Sequence, residues 1–304
     1  MSFENAGNLQ NDLAAWKASG EYLKISAHQI FVKDEGDSQL PVLLLIHGFP
    51  TSSWDWSGVW DELKTHFRLV ALDMLGFGFS DKPNVSSYSI HGQADIVEAL
   101  IAAKSLDSFH VLAHDYGDTV AQELLARQQS GAGIGRWLSC CFLNGGLFPE
   151  THHALLTQKL LLSPLGPLVN KLAGFKRFSA NFSSVFGPHT KPTAEELALF
   201  WQIINEKDGK HIFHNLITYM RDRKLHRERW VKVLQQSAIP LALINGSLDP
   251  VSGAHMVARY QELNCRLDYL GVLAEIGHYP QVEDSTGVVK HYLTFMDGIG
   301  YQSK

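Results

Sequence analysis

"VLAHDYGDTVAQELL", residues 111–125, changes character halfway along. Val111, Leu112 and Ala113 are an apolar run suited to a buried strand, and from Gly117 the apolar residues recur at helical spacing. His114, Asp115 and Tyr116 lie between. The reading is strand, tight turn, helix, with a carboxylate at the apex of the turn. A helix N-terminus favours an anion, and a carboxylate there is ionised at neutral pH without a base to deprotonate it.

The same alternation extends outward. "EYLKISAHQIFVKDEGD" reads as two short strands and a turn, "PVLLLIH" (41–47) and "RLVALD" (68–73) as strands buried on both faces. Helical spacing marks 54–66 and "SIHGQADIVEALIAAKSL". "WLSCCFLN" is a further strand, and the alternation then stops near Gly146. It resumes with "IPLALINGS" (239–247), a helix from about Pro250, a strand in 266–275 and a helix from about Glu283. The expected fold is α/β, a mostly parallel, doubly wound sheet. Residues 1–146 and 236–304 form its core, and 147–235 form an inserted helical cap. Within the insertion, "TAEELALFWQII" carries a capping box at Thr193 and Glu196.

A turn nucleophile needs an acid and a histidine later in the chain. Asp249, in "INGSLDPV", follows a buried strand, and His278, in "EIGHYP", lies 29 residues further on. Taken singly, Asp249 reads equally as a helix N-cap before Pro250 and His278 as one loop histidine among 15. Taken in order, each at a strand end, they form a candidate triad with Asp115. "HGFP" (47–50) ends the strand expected beside the elbow strand. The backbone N–H groups of Phe49 and Tyr116 are then the candidate oxyanion-hole donors. No Gly-x-Ser-x-Gly occurs in the chain, which leaves the serine version of this chemistry without a nucleophile.

The set HGFP, "LDMLGFGFSDKP", "HDYG", "LDP" and "GHYPQVED" resembles the α/β-hydrolase superfamily over residues from about 41 to 290. More narrowly it resembles the epoxide hydrolase and haloalkane dehalogenase branch, whose nucleophile is Asp. "HDYGDTVAQELL", "NGGLFPETHHALL", "VFGPHTKP" and "HYPQVED" are similar to the mesoderm-specific transcript protein group. The resemblance implies an α/β-hydrolase fold and an epoxide-hydrolase-like reaction through an alkyl ester on Asp115. Tyr219, late in the insertion, becomes the expected leaving-group acid, although an ordinary helix tyrosine reads the same way. Trp54 is a candidate pocket residue, with core packing as the equal alternative. Tyr116 stands where dehalogenases keep Trp, and Phe49 where several keep Asn. "HDYG" also lacks the arginine that a haloacetate substrate would want. Asp118 departs from the small residue usual three positions after the nucleophile. A non-catalytic binding scaffold is the third reading, and the complete triad argues against it.

Other features narrow the function. A net charge of −5 without a long basic run points away from nucleic acid and anionic membranes, leaving a small-molecule substrate as the expected partner. No cofactor or metal is expected: His211 and His214 lack a zinc-binding frame, and Cys140, Cys141 and Cys265 have no CxxC spacing. "GAGIGR" follows a helix rather than a strand and reads as a turn. "RDRKLHRER" (221–229) reads as a solvated helix face. The polar start "MSFENAGNLQ" and the lack of a membrane-length apolar run give a cytoplasmic expectation. Oligomeric state is not legible.

Overall fold

The computed structural model describes residues 3–85, 88–153, 156–172 and 174–301. Its strands are β1 (Glu21–Ile25), β2 (His28–Glu35), β3 (Val42–Ile46), β4 (Arg68–Leu72), β5 (Ser108–His114), β6 (Arg136–Leu143), β7 (Leu241–Gly246) and β8 (Tyr269–Leu273). They form one sheet in the order β1-β2-β4-β3-β5-β6-β7-β8. β2 is antiparallel to β1 and β4, and every other pairing is parallel. Parallel neighbours require crossovers, which here include the helices Ile90–Ala103 and Tyr116–Gln129.

Alternate residues of the central strands feed opposite cores. Leu44, Ile46, Val111 and Ala113 belong to one apolar cluster, whereas Leu43, Leu45 and Leu112 belong to the other. That two-sided burial is why the strands read as unbroken apolar runs. Cys140 and Cys141 divide in the same way, and all three thiols are free and buried. The chain leaves β3 toward β4 on one side, and continues from β5 toward β6 on the other. The crevice at the C-terminal ends of β3 and β5 is the topological switch point, where open parallel sheets bind ligands.

Between β6 and β7 the described residues contain helices and no strand. The Thr193–Glu196 box forms: Glu196 N donates to Thr193 Oγ1 at 3.2 Å and Thr193 N donates to Glu196 Oε2 at 2.7 Å. Residues Ala154 and Leu155 of the "NGGLFPETHHALL" motif lie outside the described residues.

Two local expectations change, and one further element was not anticipated. The polar N-terminal stretch is a helix, Phe3–Ser19, which buries Leu13 and Trp16. Expected helix 54–66 divides into a 3₁₀ turn, Ser53–Trp56, and a helix, Ser57–Leu63. The helix expected from Pro250 starts at Ala254. Asp249 takes the N–H groups of Val251 and Ser252 at 2.7 and 3.0 Å, which holds 250–253 in a turn instead.

Candidate active site

Asp115 ends β5 and caps the helix Tyr116–Gln129, with φ 47° and ψ −104°. That left-handed conformation costs a non-glycine residue about 1–3 kcal/mol and is held by its surroundings. Two glycines allow the crowding. A Cβ on Gly117 would stand 2.3 Å from Ile46 O, and one on Gly48 would stand 2.9 Å from Asp115 Cβ. The "HG" after β3 and the "DYG" after β5 therefore pack backbone to backbone.

The three triad candidates come together. His278 Nδ1 bonds Asp249 Oδ2 at 2.8 Å, and His278 Nε2 lies 3.9 Å from Asp115 Oδ1. Phe49 N donates to Asp115 Oδ2 at 3.0 Å. Tyr116 is the first residue of the helix, so its N–H is one of the first-turn donors without an intrahelical acceptor.

Charge within the site follows from these contacts. Burial alone would raise the Asp115 pKa, but the charges of His278 and Arg223 and the Phe49 N–H outweigh it, and the carboxyl sits below its ordinary range. Burial would likewise lower the His278 pKa. The Asp249 charge and hydrogen bond, reinforced by the Asp115 charge, raise it to about 9 instead. Asp249 overcomes its own burial through His278 and its hydrogen bonds, and falls to about 2. The resting site is a carboxylate, an imidazolium and a second carboxylate.

A cavity of about 130 Å³ opens onto Asp115 and His278. Phe49, Leu161, Val169, Phe178, Phe182, Trp201 and Phe213 give it mainly apolar walls, with Gln158, Arg177 and Asn181 as the polar groups from the insertion. Trp54 and Tyr219 are not among its lining residues. Trp54 packs edge-on against Trp16 of the N-terminal helix, centroids 5.6 Å apart, which draws it into the core. Tyr219 is buried behind the elbow, edge-on to Tyr116 at 4.6 Å, with the Arg223 guanidinium over its ring. The Tyr116 ring is itself fully buried, against Phe77 and Tyr219, and is absent from the cavity wall.

Several residues around the site were not singled out in the sequence. Arg223 lies in the segment expected to be a solvated helix face, yet it is 2% exposed. Its Nε donates to Thr119 Oγ1 at 2.8 Å and its NH2 to Asp115 O at 3.3 Å, with NH2 3.8 Å from Asp115 Oδ1. The arginine absent from "HDYG" thus arrives from the insertion, where it is spent on the elbow and does not line the cavity. Asn144 Nδ2 and the Ser252 hydroxyl donate to Asp249 Oδ2 at 3.0 and 2.7 Å. Glu283 accepts from Gly277 N and Tyr279 N, which flank His278, and from Gly187 N in the insertion. His114 Nε2 bonds His278 O at 2.8 Å, and burial holds its pKa near 4. No group of His, Cys, Asp and Glu suited to a metal occurs among the described residues.

An elbow residue at positive φ, a backbone donor from the preceding strand and an acid–histidine pair after later strands define the α/β hydrolases. A family model for the alpha/beta hydrolase fold matches residues 41–131. The chain belongs to the mesoderm-specific transcript group of that superfamily. It is 43% identical to the mesoderm-specific transcript homolog protein of Bos taurus over 296 residues, covering 94% of this chain and 88% of the relative. It is 35% identical to the putative hydrolase LipZ of Mycobacterium tuberculosis (strain ATCC 25618 / H37Rv), covering 88% of this chain and 92% of that one. Among solved structures, haloalkane dehalogenase DbeA from Bradyrhizobium elkani USDA94 superposes with a TM-score of 0.76 at 21% identity, covering 93% and 98% of the two chains. The chain is a hydrolase of this fold.

Proposed function

We propose that the chain hydrolyses a small apolar electrophile, epoxide-hydrolase-like, through a covalent alkyl ester on Asp115. The observation that carries this reading is the ionised Asp115 at the floor of an apolar cavity, its two oxygens facing the Phe49 N–H and His278. An ionised carboxylate attacks sp³ carbon directly. The bond to the leaving oxygen breaks, the alkyl group stays on Asp115, and the released alkoxide takes the proton of the His278 imidazolium, which leaves that ring neutral for the next step. Water then attacks the Asp115 carbonyl carbon, His278 takes its proton, and the alcohol departs with the carboxylate restored.

Esterification also prepares the second step. The Asp115 charge helps hold the proton on His278. Once that charge is lost to the ester, the imidazole pKa falls and the base becomes available when water must be activated. The Phe49 N–H, already 3.0 Å from a carboxylate oxygen, stabilises the oxyanion of that step. The leaving oxygen meets the polar groups of the cavity wall, Gln158, Arg177 and Asn181. Tyr219, behind the elbow, acts as an acid only if its hydroxyl reaches past Phe49, whose ring is 6.3 Å away.

Mass spectrometry of a His278→Phe variant tests the reading against a panel of epoxides, haloalkanes and esters. An alkyl adduct on the peptide holding Asp115 is expected with an epoxide. Halide release without epoxide turnover would move the substrate class to haloalkanes. No adduct, with Asp115→Ala turning over as the wild type does, would sink the covalent reading.

A further inference from the structure

The outer face of the insertion contradicts the general character of the chain. Twelve large apolar side chains are exposed among the described residues, and six of them fall between 156 and 175. On the short helix Gly166–Lys171, Val169 lines the cavity and Asn170 is buried. The flanking and outward positions Leu165, Leu168 and Leu172 follow helical spacing and share one face. They are 59%, 55% and 67% exposed, and Leu156 on the preceding helix is 72% exposed. Soluble proteins scatter such residues singly, and a cluster marks an interaction surface.

Charge identifies the partner. Residues 151–194 hold five Lys or Arg and no Asp or Glu, whereas the rest of the chain holds 21 cations and 31 carboxylates. Lys159, Lys171, Lys176 and Arg177 are exposed beside the apolar cluster. Leucines on a segment that carries cations and no carboxylate between 151 and 194 suit the headgroup region of an anionic bilayer, where acyl chains take the apolar groups and phosphates the lysines. The helices Leu156–Leu161, Gly166–Lys171 and Phe175–Ser184 also place Leu161, Val169 and Arg177 on the cavity wall, so the cluster lies on the outside of the segment that walls the cavity over Asp115. No helix among the described residues is long and apolar enough to cross a membrane.

We propose that the outer face of residues 156–177 docks the chain on an anionic lipid bilayer, with the cavity mouth at the membrane surface, so that an electrophile dissolved in lipid enters without crossing water. The sequence-level expectation of no membrane partner averages charge over the whole chain and misses this face. Docking needs neither the covalent chemistry nor turnover. Asp115→Ala should bind vesicles as the wild type does, which keeps the two readings separable.

Flotation with vesicles of phosphatidylcholine, with or without phosphatidylserine, is the test. The wild type should float with the anionic vesicles and remain below with phosphatidylcholine alone. The triple variant Leu165→Ser, Leu168→Ser, Leu172→Ser should lose at least tenfold in bound fraction. The triple variant Lys159→Glu, Lys171→Glu, Lys176→Glu should lose as much on anionic vesicles. These positions are exposed and outside the cavity wall, so circular dichroism melts should match the wild type. No wild-type flotation, equal flotation on neutral vesicles, or unchanged binding by either variant overturns the proposal. So does sedimentation showing a wild-type dimer that the leucine variant dissolves, because a second copy would then cover the face.

Discussion

Asp249, in the loop after β7, and Asp118, in the first turn of the elbow helix, are both sealed from solvent within the machinery around Asp115. Asp249 accepts from Asn144, His278, the Val251 N–H, and both the N–H and hydroxyl of Ser252. Neither Asp118 oxygen makes a hydrogen bond of ordinary geometry among the described residues, and the Leu143 backbone and the Arg223 charge only partly offset its burial. The consequences are opposite. Asp249 is held near 2, whereas burial, then the charge of Asp115, drives Asp118 well above the ordinary carboxyl range. The loop after β7 turns two N–H groups onto Asp249, whereas Asp118 Oδ2 packs against Gly145, where a Cβ would stand only 1.9 Å away. Equal burial therefore accompanies a lowered carboxyl pKa in one place and a raised one in the other.

The largest effect expected from breaking this contrast is at the saturated carboxylate. Asp249→Asn removes the charge that orients His278 and raises its pKa. Ester hydrolysis should fall roughly 10³–10⁴-fold, as expected when a triad histidine loses its acid. Asp115 would still be alkylated, so intact-protein mass spectrometry should find the adduct accumulating during turnover. A variant that turns over normally would mean that His278 is held by its loop alone, through Glu283 and His114.

Arg223 acts on both Asp115 and Asp118, because its charge lowers the pKa of each. Arg223→Met would leave Thr119 Oγ1 and Asp115 O without their donor. A loss of about 2–3 kcal/mol is expected in denaturant melts, the cost of uncompensated buried acceptors. The optimum for Asp115 alkylation should also move to higher pH, since the carboxyl pKa rises once the cation is gone. Arg223→Lys should recover part of the pH profile but less of the stability, because one ammonium cannot reproduce the forked contacts. An unchanged profile in the Met variant would assign Arg223 to packing alone.

The limits of reading the sequence have the same origin. β3, β4, β5, β6 and β7 were legible because two-sided burial prints as an apolar run, and the convergence of Asp115, Asp249 and His278 because each stands at a strand end. The N-terminal helix was missed because the apolar residues it packs inward among its described side chains, Leu9, Leu13 and Trp16, are spaced out in a polar stretch. Arg223 was missed because its segment, "RDRKLHRER", alternates charge like a surface helix, and nothing local says that one turn faces inward. Asn144 did carry a faint signal: a polar residue directly after buried β6, at φ 41°, where asparagine is tolerated. Trp54 was nominated because it closely follows HGFP and Tyr219 because of the family resemblance, and neither lines the cavity. Side-chain direction in the insertion depends on how its helices cross, which local periodicity does not encode.

The smallest effect is the one that isolates Asp118. A folded carboxyl with a raised pKa keeps its proton after the unfolded chain has released it. Stability must then fall as pH rises above the ordinary carboxyl value of 3.8 and continue falling toward the folded pKa. His278 contributes in the same direction only later: its stabilisation is complete below the usual histidine value of 6.5 and fades as pH passes about 9. Asp249 works oppositely, stabilising above the ordinary carboxyl range and losing that contribution as pH falls toward about 2. Asp118→Asn removes the first dependence and leaves the other two. The variant should melt near the wild type at pH 4 and above it at pH 7, the gap opening across that interval. Equal gaps at both pH values would mean that Asp118 is ionised in the fold with an ordinary pKa. A variant less stable at pH 7 would mean that its charge is held by a partner, and the contrast with Asp249 would fail.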